Sequence, residues 1–195
     1  MPYKGHFHKR KASIDRFFYN CAKVRCFMIL LYSLLEKNKE RIILTLLHRI
    51  PKEIRSYARI PRPELKSSLE HLFEAYLELL ISKDDTQIRR IFKYVARVRL
   101  AQSFTLGTIL KAALSFTPVI RALLQEEFKR MDGDGRQLFN RAMGQIEKTT
   151  SDSVVAFSEV FQEHIKSKID EHNQYLNQQN KKLGVDLSRF ILFRA

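Results

Sequence analysis

Apolar residues recur at steps of three and four along almost the whole of this chain, and they nowhere alternate for the length of a strand. Steps of three and four place side chains on one face of an α-helix, whereas a half-buried strand needs a period of two. Only residues 189–194, Arg-Phe-Ile-Leu-Phe-Arg, could form a strand or a docking tail. Six glycines and five prolines in 195 residues are few for an architecture of many short strands and tight turns. With 45% hydrophobic and 29% charged residues the chain can bury a core, and its length suits one domain with tails. The expectation is an all-α bundle.

Met28 begins the first strongly periodic segment, in which Phe27, Leu31, Leu34, Ile42, Ile43, Leu46, Leu47 and Ile50 recur at helical spacing, and Pro51 is expected to end it. A short helix over 52–58 follows, then a break at Pro61 and Pro63. Pro63 suits the first turn of a third helix, which runs to the polar stretch 82–85. A fourth helix is expected from Thr86 to Gln102, with Ile88, Ile91, Phe92, Val95 and Val98 inward and Arg89, Lys93 and Arg97 outward. A fifth runs from Leu106 to Arg130 and should kink at Pro118. Beyond the Asp132-Gly133-Asp134-Gly135 loop, a helix from Arg136 reaches Leu183, with a possible break over 149–153. In that last segment Phe157, Phe161, Ile165, Ile169 and Leu176 trace a seam close to a heptad, a candidate surface for pairing with a second copy.

The formal net charge of +14 is unevenly placed. Residues 1–28 carry seven basic side chains against Asp15 alone, and residues 145–195 carry seven of each sign. About +11 of the excess lies in residues 1–62, and +6 of it in a basic, aromatic-rich extension over 1–27, marked by Lys9, Arg10, Lys11, Arg16, Lys23 and Arg25. Such an arm can bind nucleic acid or an anionic membrane by counterion release without a fold of its own. The apolar run 27–35 is too short to cross a bilayer, which takes about 20 residues, and no small-residue cleavage site follows it. A cytoplasmic protein with free Cys21 and Cys26 is expected.

Candidate chemical sites fall away on inspection. Cys21 and Cys26 with His6 and His8 lack the order and spacing of a zinc finger, so no metal is expected. The Asp-Gly-Asp-Gly loop has Arg136 and Met143 where a calcium loop needs oxygen ligands. A haem would need an axial histidine in the middle of the chain, and none lies between His71 and His164. Phosphate-loop, nucleophile-elbow, zinc-protease and dinucleotide fingerprints are missing, so neither cofactor nor catalysis is expected. The stripe Arg89, Arg90, Lys93, Arg97 and Arg99 could follow phosphates, although a solvated face with an internal salt bridge is the favoured reading.

Four stretches carry a family resemblance. They are the opening helix Leu31-Tyr-Ser-Leu-Leu-Glu-Lys-Asn-Lys-Glu-Arg-Ile42, the segment Ile60-Pro-Arg-Pro-Glu-Leu65, the run Val95-Ala-Arg-Val-Arg99-Leu-Ala-Gln-Ser103-Phe104-Thr-Leu106, and the long terminal helix. Together they resemble the N-terminal sensory domain of RsbR-type stressosome proteins, the RsbT co-antagonist N-terminal domain. Ser103 stands where that family usually has Gly. The resemblance implies a globin-like helical bundle without haem, with a long C-terminal helix that contributes to a homodimer. Arg99, Ser103 and Phe104 would form its core turn. In the family a phosphorylated STAS output domain follows, and here the chain ends about where that domain would begin. The reading is thus a non-enzymatic signalling adaptor for stress response that binds a protein partner, with an extension over 1–27, a sensor domain over 28–183 and a tail over 184–195. The alternative is a basic helical protein that binds nucleic acid or serves transcription.

Overall fold

The computed structural model describes residues 26–129 and 135–183. The remaining residues hold the basic extension (Lys9, Arg10, Lys11, Arg16, Lys23, Arg25), Cys21, the two N-terminal histidines, the loop after residue 129 and the tail with 189–194. Expectations about those positions fall outside the described residues. Helix α1 covers residues 26–37, α2 Lys39–Glu53, a 3-10 turn Arg55–Arg59, α3 Arg62–Ser82, α4 Thr86–Ala101, α5 Leu106–Leu114, α6 Phe116–Lys129 and α7 Gly135–Leu183. No strand occurs among the described residues. The fold is an all-α bundle with one long C-terminal helix.

Side chains from every helix meet in one core, which includes Leu31, Ile42, Leu46, Phe73, Leu80, Ile88, Ile120, Ile146 and Phe157. The long helix is the common element, packing against α3, α4, α5 and α6, while α2 packs on α3 and α6. Phe27 lies in this core with the Arg141 guanidinium 4.3 Å from its ring centroid. The body therefore takes in residue 27, which the sequence assigns to the extension. Leu106–Lys129 is apolar and long enough to cross a membrane by composition. Here Ile109, Ala112, Phe116, Ile120, Leu124 and Phe128 from that stretch are buried inside the bundle.

Several helix boundaries differ from the sequence expectation, each for a local reason. The first periodic segment divides at Asn38, whose side-chain amide donates to the Leu34 carbonyl at 2.9 Å. Pro51 does not end α2, which runs on to Glu53. Proline already has a helical φ, and in the last turn its missing N–H removes only one helix bond. The separate helix expected over 52–58 shrinks to the 3-10 turn. Ahead of Pro118 the helix is interrupted at one residue: α5 stops at Leu114 and α6 starts at Phe116, while Ser115 between them keeps right-handed helical dihedrals of φ −66° and ψ −16°. Leu114 is four residues before Pro118, where the proline ring crowds the carbonyl and offers it no donor.

The break foreseen over 149–153 does not occur, and α7 is continuous. Two of the three buried hydroxyls in that stretch find partners, while that of Thr149 has none among the described residues. Ser153 donates to the Thr149 carbonyl at 2.8 Å, and Thr150 lies 3.2 Å from both the Tyr76 and the Thr117 hydroxyls. The Tyr76 hydroxyl also donates to the Ile146 carbonyl at 3.0 Å, which fixes α7 along α3. Burial raises the Tyr76 pKa strongly above its ordinary value.

Chemical denaturation should separate two contributions to this core. Truncating the fully buried Phe73 to Ala should cost about 3–5 kcal/mol. Tyr76→Phe, which keeps the ring and removes the hydroxyl, should cost only about 1–2 kcal/mol.

Candidate signalling site

Arg99 ends the last full turn of α4 and is 3% exposed, an uncommon place for a guanidinium. Its Nη1 donates to Glu64 Oε1 at 2.9 Å and to Gln102 Oε1 at 2.6 Å, with Ser68 Oγ 3.5 Å from Nη2. Glu64 is in the first turn of α3, at the start fixed by Pro61 and Pro63. Tyr57 and Phe104 meet edge to face at 4.9 Å, and the guanidinium carbon lies 5.9 Å and 5.7 Å from their ring centroids. Those distances are within reach of a cation–π attraction. One side chain thereby joins the 3-10 turn, α3, α4 and the turn into α5. Burial pushes the Tyr57 phenol up to about 12, and the nearby Arg99 charge offsets part of that rise.

The backbone completes the same turn. Phe104 N–H donates to the Arg99 carbonyl at 2.9 Å, and Ser103 N–H to Leu100 at 2.9 Å. Closing it requires a left-handed residue at 103, where φ is 64°. Glycine adopts that conformation freely, and a residue with a Cβ does so at a cost. Thr105 then caps α5, its hydroxyl accepting from Thr108 N–H at 3.3 Å.

At the other end of the site, α7 leaves the bundle. Phe157 is 2% exposed and packs edge-on to Phe92, with centroids 5.0 Å apart. The sequence places Phe157 in a dimer seam, but here it is used by the protomer's own core. Phe161 is half-buried, with its ring centroid 6.1 Å from that of Phe157. Ile165, Ile169 and Leu176 are exposed, Ile169 by 54%. The seam thus divides into a buried root and an exposed stripe on one helix.

The basic stripe on α4 is divided too. Arg99 is buried, so it is unavailable to a phosphate track. Arg89 pairs with Asp85 at 2.5 Å and with Glu159 of α7 at 2.6 Å, and these partners raise its pKa. Arg90, Lys93 and Arg97 face solvent. Sequence periodicity marked none of Glu64, Tyr57, Gln102 or Glu159 as partners. Charge arithmetic foresaw an internal salt bridge on this helix but not where it would form. No group of three or more His, Cys, Asp or Glu converges into a possible metal site among the described residues.

The family model described as the RsbT co-antagonist protein rsbRD N-terminal domain matches residues 39–174. No curated protein and no solved structure matches the chain. The matched span contains the whole Arg99 junction and the root of the exit helix.

Two measurements probe the junction. By urea denaturation Ser103→Gly should gain about 0.5–1 kcal/mol. Arg99→Leu should lose about 2–3 kcal/mol, and Arg99→Lys should not fully restore it, because an ammonium lacks the second nitrogen that reaches Ser68 and the planar group that lies against Tyr57 and Phe104. The second is alkaline stability. A phenol whose folded pKa is raised stabilises the fold fully below its ordinary pKa of 10.0 and loses that contribution as pH climbs through about 12. Tyr57→Phe should therefore lose less stability than the parent between those two pH values.

Proposed function

The chain belongs to the RsbT co-antagonist N-terminal domain family, and from that premise we propose that it is a non-enzymatic cytoplasmic sensor or adaptor that signals by moving its exit helix. The family is one of stressosome-type signalling sensor domains that act through protein–protein contact.

One observation carries it. Helix α7 is a single continuous element whose first part is core and whose later part is exposed. Ala142, Met143, Ile146, Ala156, Phe157 and Val160 are buried, whereas Ile165, Ile169 and Leu176 are exposed on the same helix. From Ile165 the positions Ile165, Ile169, His172 and Leu176 advance by four, three and four, the steps of a heptad seam. Two exit helices pairing in parallel along this stripe would cover its apolar side chains and place both outputs at the same end. The step of four from Phe161 to Ile165 falls where the helix leaves the bundle. A signal or partner that prefers one packing of the bundle over another would shift the root of α7 and so reset the pair. Such coupling requires different affinities for the two states. Arg99 would act as a positioning residue, holding α3 and α4 in register while α4 braces Phe157 through Phe92.

Sedimentation velocity across a concentration series should show a reversible dimer. Ile169→Asp should convert it to a monomer with unchanged helical content, and partner capture should fall with it. A protein that stays monomeric at high concentration, and whose partner capture is untouched by Ile169→Asp, would contradict the reading.

A further inference from the structure

The five basic residues of α4 have separate fates, and three of them have no task inside the bundle. Arg90, Lys93 and Arg97 are exposed and make no ion pair with a carboxylate among the described residues; Arg90 donates to Gln87 at 3.1 Å. They line one wall of an open groove of about 590 Å³. The other wall is the root of the exit helix: Val160, Glu163, His164 and Ser167. Tyr94 lies between the cations and is 57% exposed.

We propose that this groove binds an acidic helical segment of a protein partner. The cations stand three and four residues apart on one helix face and span about 10 Å. That spacing complements a partner helix carrying carboxylates at the same steps, laid between α4 and α7. Each exposed pair would be weak alone, and three in one groove set register and encounter rate. The exposed Tyr94 ring adds apolar surface between the charges. Nucleic acid fits less well. About 10 Å of cations would meet only a few phosphates, whereas that length matches about two turns of a partner helix. A chain of net charge +14 is also biased towards acidic partners.

The groove's position gives the contact a consequence. Val160 is the last fully buried residue of α7 before the helix becomes exposed. A segment seated here touches the rigid body and the first free turns together, and so would pin the angle of exit. This consequence rests on the exit-helix reading above; the binding itself does not.

The test uses the full chain and a fluorescein-labelled, alanine-based helical peptide with three glutamates at steps of three and four. A peptide of the same composition with its glutamates spread around the helix serves as control, and a single-stranded oligonucleotide as competitor. Anisotropy should show saturable binding that the control peptide lacks, with NMR shifts confined to α4 and residues 160–167. Charge reversal at Arg90, Lys93 and Arg97, all exposed, should weaken binding about tenfold or more with helical content unchanged. Charge reversal at Lys9, Arg10 and Lys11 should change it less than about twofold. Ile169→Asp should leave peptide binding intact, so failure of dimerisation and failure of the groove are read separately. No saturable binding, an unaffected charge-reversal variant, or displacement of the peptide from these residues by the oligonucleotide would overturn the proposal.

Discussion

The burial of the first part of α7 is the contact on which the rest of the bundle depends. From Ala142 to Val160 this helix presents a buried face to α3, α4, α5 and α6. Without α7 the inner faces of those four helices would lose their shared partner. The stretch rises about 27 Å, so its stability comes from packing along an amphipathic face more than from helix propensity. Apolar packing alone would tolerate sliding. Polar contacts in the middle of the seam specify the axial position, because a shift by one turn would take the Tyr76 hydroxyl away from the Ile146 carbonyl and Thr150.

Helix α4 links the two ends of this arrangement. Its C-terminal end carries Arg99 into the junction with Tyr57, Glu64 and Phe104, and its middle sets Phe92 against Phe157. Arg89 adds an ion pair to Glu159 on the exit helix. A displacement at the α3 end therefore has a short packed route to the point where α7 leaves the core. Densely packed interiors pass on such shifts because they have few voids to absorb them.

Much of the fold was legible in the sequence because helical periodicity reports burial directly. The ends of α3 and α4 follow from Pro63 and the polar stretch 82–85. What the sequence left hidden depends on tertiary partners or on where in a helix a residue falls. Pro51 sits in a last turn, where its cost is small, and Pro118 sits where it interrupts a helix at Ser115. Thr149, Thr150 and Ser153 read as a polar interruption until Tyr76 and Thr117 are brought to Thr150 and Ser153 bonds back to the Thr149 carbonyl of its own helix. Phe157 and Ile169 look equivalent along the seam, yet one lies under α4 and the other beyond the bundle's edge. For the site, the family resemblance pointed to Arg99, Ser103 and Phe104. Glu64 and Tyr57, distant in sequence, carried no signal that local spacing could detect. Ser103 shows the limit in the other direction: the departure from glycine was visible, and its cost became physical only with a φ of 64°.

On the proposed function, two exit helices pair along their exposed stripe while their roots stay in separate bundles. Spin labels at Asn173→Cys, in a chain with Cys21→Ser and Cys26→Ser, test it directly by pulsed dipolar spectroscopy. Pairing predicts one narrow inter-protomer distance on the order of 20 Å, from an interhelical spacing of about 8–10 Å and two label arms. A broad distribution, or no dipolar signal from concentrated protein, would contradict it.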